Sequence, residues 1–146
     1  MATLLLFDEY IKYQLDGTVD LDTHTFKAVL SNTAPVATTG TVLADITQIA
    51  NGNGYTTGGV TLTSVTLAES GAGTGIWVWT CADFSWTASG GSIATFQYVV
   101  IYDDTPSSPA DPLVGYLDYG SALVITSGNS FTVDVGASGV IRYQEA

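Results

Sequence analysis

From Asp22 onward the apolar residues recur at every second position, in short runs broken by Gly, Asn and Pro. Val60-Thr61-Leu62-Thr63 and Val65-Thr66-Leu67 alternate apolar side chains with threonine, as an antiparallel strand with one wet face does. His24–Leu30, Gly75–Cys81, Asp83–Thr87, Leu113–Tyr119, Ala122–Ile125, Phe131–Val135 and Val140–Tyr143 read as further strands. Ile93–Tyr102 (IATFQYVVIY) is apolar on both faces, which predicts a central strand covered on both sides. Ser89-Gly90-Gly91, Ser127-Gly128-Asn129 and Gly136–Gly139 supply the turns between them. This spacing predicts a mainly β fold, an antiparallel β-sandwich of jelly-roll or Ig-like type. No linker, repeat or low-complexity tract divides residues 1–146, so one domain is expected.

Two helical segments are expected beside the strands. Leu4, Phe7, Ile11 and Leu15 follow a helical stripe over the first fifteen residues, packed on the sheet or on a neighbouring subunit. Asp8 and Lys12 form an i,i+4 pair on its other side, and Asp16-Gly17 stops it. Thr41 caps a second, two-turn helix over Val42–Ala50, with Leu43, Ile46 and Ile49 on one face. A loop rich in Gly and Asn follows, from Asn51 to Gly59.

Charge narrows the function. Only 12% of the residues are charged and 46% are hydrophobic, against about 25% charged in an ordinary soluble domain. Fourteen acids face three bases (Lys12, Lys27, Arg142), for a net charge of −11. Phosphate binding draws on clustered Lys and Arg, so direct contact with nucleic acid or with an anionic membrane is not expected. Leu4–Phe7 is apolar but Asp8 and Glu9 follow at once, which is not a signal-peptide pattern, and no run reaches membrane-spanning length. Cys81 stands alone and reads as a small buried hydrophobe in a strand.

The catalytic inventory is thin. His24 follows Asp22 and is the one candidate general base, but no nucleophile can be placed beside it; an exposed strand histidine is the preferred reading. No phosphate loop or nucleophile elbow is present, and neither a catalytic group nor a cofactor is assigned. Asp103, Asp104 and Asp111 bracket a loop and Asp20 and Asp22 form a D-x-D, a loose calcium pattern without the EF-hand glycine and glutamate. Turn formation at Asp103-Asp104-Thr105-Pro106 accounts for that loop more simply, and no metal site is assigned. Trp77 and Trp79 share one sheet face, which is read first as core or subunit contact and second as a sugar platform.

The segments FKAVLSNTAPVATTGTVLADITQIANGNGYTTGG and FQYVVIYDDTPSSPADPLVGYLDYGSALVITSGNSFTVD together resemble small virion structural proteins of tailed bacteriophages. The likeness runs from about Phe26 to Val135 and rests on the order of strand, short helix, Gly/Asn loop and Asp-Pro loop. It implies a non-enzymatic capsid decoration or cement protein on the capsid exterior, made in the host cytoplasm. Its partners would be the major capsid protein, copies of itself, or both, in a homo-oligomer or symmetric array. A tail or fibre component contacting host glycans is the alternative, and a secreted hydrolase using His24 a third class. No catalytic residues carry over. Leu43, Ile46, Ile49, Tyr55, Trp77 and Trp79 are the interface candidates.

Overall fold

A computed structural model describes residues 1–145. Strands hold 43% of the residues and helical turns 8%, so the protein is mainly β, with antiparallel sheets as expected. Among the described residues ten strands and one α-helix follow one another: β1 (Leu4–Leu6), α1 (Asp8–Leu15), β2 (Phe26–Ser31), β3 (Val60–Thr61), β4 (Thr66–Glu69), β5 (Ile76–Thr80), β6 (Phe84–Thr87), β7 (Ile93–Asp103), β8 (Leu113–Ile125), β9 (Ser130–Val133) and β10 (Ile141–Gln144). They form a five-stranded sheet β1-β8-β7-β2-β3, a three-stranded sheet β10-β5-β4 and a pair β6-β9.

The two smaller sheets lie against the large one in a sandwich-like arrangement. Phe26 of β2 meets Trp79 of β5 edge to face at 4.8 Å, and Phe96 of β7 meets Phe131 of β9 at 5.1 Å. Because side chains alternate, Phe26, Ala28 and Leu30 face this interior while Val29 and Ser31 face away. All five are buried. The long connection from Asn32 to Gly59 backs the outer face: fully buried Phe7 packs on Tyr116 at 5.4 Å and lies against Gly40, and Gly59 lies against Val29. β7 runs between β2 and β8 as the expected central strand, but it is buried on both faces only from Val99 to Asp103; Ala94 and Thr95, expected to be covered, are exposed.

β8 is one strand where two were expected. Its register against β7 slips between Phe96↔Leu123 and Tyr98↔Asp118, and Gly120 sits inside the slip at φ +75. The bulge keeps one strand continuous across residues that read as a turn.

The N-terminal helix is shorter than expected and buries a different face. Leu4–Leu6 is a strand on the edge of β8, with Phe7 still extended, so the helix begins only at Asp8. A helical count started at Leu4 is therefore out of phase. Tyr10 and Tyr13 are buried, whereas Ile11 is 58% and Leu15 84% exposed. Asp8 and Glu9 in the first turn suit the positive end of the helix dipole. Lys12 pairs with Asp16 at 2.8 Å and Glu9 at 3.8 Å rather than with Asp8. Gly17 takes the left-handed position (φ +76) that ends the helix, as expected.

Candidate functional site

The Val42–Gly59 segment does not form a two-turn helix. Only Leu43–Asp45 makes a single 3-10 turn. Its organiser is Asp45, whose carboxylate accepts the N–H groups of Thr41 (2.8 Å) and Val42 (3.1 Å). Beyond it the chain runs extended, with Gln48 bridged to Ser31 and the Ile49 N–H donating to the Leu30 carbonyl at 3.0 Å. Ile46, Thr47 and Ile49 are β-branched and fit this extended path better than a helix. Hydrogen bonding to the sheet outcompetes a marginal local helix.

The Gly/Asn loop is tied to the body of the protein. The Gln48 side-chain oxygen accepts from the Tyr55 hydroxyl (2.8 Å) and the Gly58 N–H (2.9 Å). Asn51 accepts the Thr57 N–H, and the Asn53 amide donates to the Ser92 carbonyl at 2.8 Å. Gly54 and Gly59 pass so close to the backbone at Thr87 and Ala28 that neither has room for a β-carbon. The segment is thus fixed in shape by hydrogen bonds along its length.

The interface candidates divide accordingly. Tyr55 (1% exposed), Trp79 (0%) and Ile49 (8%) are core residues and present no docking surface. Leu43 and Ile46 are partly buried against that core. Trp77 alone stands out, 47% exposed and set in register between Tyr143 of β10 and Glu69 of β4. The shared face of Trp77 and Trp79 is covered at one end and open at the other. Trp79 donates its indole N–H to the Leu21 carbonyl at 3.1 Å.

His24 lies in the turn before β2, not in a strand, and its carboxylate partner is Asp103 rather than Asp22. The Nδ1–Oδ2 distance is 2.6 Å, with Asp103 fully buried. The other Asp103 oxygen accepts the Thr105 N–H at 3.0 Å, the turn chemistry expected of this loop. Burial pushes the Asp103 carboxyl up, opposed by its bonds to His24 and Thr105. Asp104 is engaged by Lys27 at 2.8 Å. Asp20 spends its oxygens on the Asp22 N–H and the Thr23 hydroxyl. Among the described residues no group of three His, Cys, Asp or Glu is placed to hold a metal ion.

The pair is therefore a clasp between the 20–25 turn and the end of β7, and it gives a pH test. In His24→Ala the buried carboxylate loses its partner, at a cost of about 2–3 kcal/mol near neutrality. A carboxyl whose folded pKa lies above its unfolded value contributes stability below the unfolded value and loses it as pH rises through the folded one. Without His24 only burial and the Thr105 bond act on Asp103, so the deficit of His24→Ala should be larger at pH 7 than at pH 4. Denaturant melts of both proteins at the two pH values check this; an equal deficit would exclude the buried charge as its cause.

Cys81 is buried, as expected, and burial together with nearby Asp83 pushes its thiol up to about 11, so it is neutral at physiological pH. A shallow open groove of about 440 Å³ runs between Thr33–Val36 and Asp45–Thr47. The one carboxylate in it, Asp45, already serves Thr41 and Val42. A hydroxyl chain missed by sequence reasoning joins Tyr10 to Tyr143 at 2.6 Å and Tyr143 to Gln14 at 3.1 Å. The partners are more than a hundred residues apart, and no local pattern marks them.

No protein-family model matches this chain, and comparison with curated proteins and with solved structures gives no match either.

Proposed function

We propose that this chain is a non-enzymatic structural protein of a tailed-phage virion, seated as a decoration or cement protein on the capsid exterior against the major capsid protein. The observation that carries the reading is the split of the N-terminal apolar stripe. Phe7 is spent in the core, while Ile11 and Leu15, one helical turn apart, are left exposed on a helix that also carries Asp8, Glu9 and Lys12. Such a ridge gains by being covered, and icosahedral symmetry sums many modest contacts of this kind by avidity. The net charge of −11 suits the outside of a DNA-filled particle better than contact with its contents.

Trp77 favours a second reading. A half-exposed indole beside Tyr143 and Glu69 suits a tail or fibre component that contacts host glycans. Separated heads and tails distinguish the two. Quantitative densitometry should find the chain in heads at high, symmetric copy number, retained by empty heads. Its absence from heads would overturn the decoration reading, and low copy number with the tails would support the second.

A further inference from the structure

Charge is unevenly spread over the fold. No charged residue lies between Phe84 and Tyr102 or between Tyr119 and Val133. These stretches hold β6, β9, most of β7 and the far half of β8, and they meet in one aromatic cluster of Phe84, Trp86, Phe96, Tyr119 and Phe131. Asp103, Asp104 and Asp111, with His24 and Lys27, lie at the other end of β7. Copies of a chain carrying −11 repel one another, and the repulsion is weakest where the surface carries no charge.

The uncharged region also holds an open strand edge. β9 pairs with β6 in regular register from Phe84↔Val133 to Thr87↔Ser130. Among the described residues, no backbone group of Ser130–Val133 bonds to anything except β6. Ser130 and Thr132 are exposed. β9 has no charge, proline or bulge, the devices by which proteins blunt an edge. The other edges are guarded. β1 has only three residues, β4 carries Glu69 and β10 carries Arg142. β3 has two residues, and the free stretches of β7 and β8 are broken by register shifts. The far side of β6 is flanked beyond its two ends, where the Ser89 N–H donates to the Asn53 carbonyl of the Gly/Asn loop and the Ala82 N–H to the Thr63 carbonyl just after β3.

We propose that two copies of this chain associate through β9, edge to edge and antiparallel about a two-fold axis, joining their β6-β9 pairs into one four-stranded sheet. A two-fold through Phe131 sets Asp134 against Gly128 of the partner subunit, and one through Thr132 sets it against Ser130 of the partner subunit. In either register no like charges face each other. This surface does not depend on the virion reading.

The test is sedimentation of the full chain over a concentration series. Wild type should show a monomer–dimer equilibrium. The double variant Ser130→Glu, Thr132→Glu should lose the dimer, because in either register acids then face acids across the axis, Asp134 included. Thr66→Glu, Ala68→Glu on β4 makes the same change in overall charge away from β9 and should keep the dimer, which separates a local clash from general repulsion. A wild type monomeric at every concentration, or a β9 variant that still dimerises, would overturn the proposal. Amide exchange on wild type needs no variant to fold: β9 amides facing away from β6 should gain protection on concentration, and unchanged protection would count against the proposal.

Discussion

Replacing Gly59 by alanine should destabilise the protein by roughly 2–5 kcal/mol, the sum of about 1–2 for a left-handed backbone on a non-glycine residue and about 1–3 for overpacking. Gly59 has φ +74, and a β-carbon there would fall on the Ala28 carbonyl, with the Val29 side chain also 3.0 Å away. The obstacle is backbone in the middle of β2, which is held on its other side by β7 and cannot yield cheaply. Gly128 is the matched control: its φ of +86 is equally unfavourable, but nothing lies within 4 Å of the added carbon. Gly128→Ala should therefore cost only the strain, about 1–2 kcal/mol. For a chain of this length each kcal/mol moves Tm by about 2–4 °C, so thermal melts resolve the difference. Equal losses would mean that the close approach at β2 is relieved by local movement.

Trp79→Ala should cost about 3–5 kcal/mol, the range for emptying a large aromatic site in a core. Trp79 is 0% exposed, packs edge-on against Phe26 and satisfies its indole N–H on Leu21. It joins β5 to β2 and to the turn before β2, so no single element can collapse into the space it leaves. Trp77→Ala, two residues earlier on the same strand, should cost no more than about 1 kcal/mol, because half of that ring is already in water. Paired denaturant titrations test both. A large loss at Trp77 would show that this ring is part of the core, and would remove it from consideration as a binding surface.

Much of the fold was legible because strand periodicity is a local signal. The doubly apolar run became the central strand β7, and the Val/Thr alternations became β3 and β4. The errors fall where long-range pairing decides. Leu4–Leu6 reads as helix until β8 offers it an edge, and Val42–Ala50 reads as helix until Leu30, Ser31 and Pro112 offer it partners. The candidate site was less legible. Asp22 is two residues before His24 in sequence, but the carboxylate that reaches it is Asp103, 79 residues away. Trp77 and Trp79 share a face in any strand, yet only the extent of the opposing layer decides that one is core and the other surface.

The pairing of β1 with β8 bears on how the protein is made. Leu4–Leu6 finds its partners at Gly115–Leu117, and Tyr10 bonds Tyr143, each more than a hundred residues further on. An emerging N-terminal stretch has no sheet to join until those residues have been synthesised, and its leucines and tyrosines stay open to solvent or to a chaperone meanwhile.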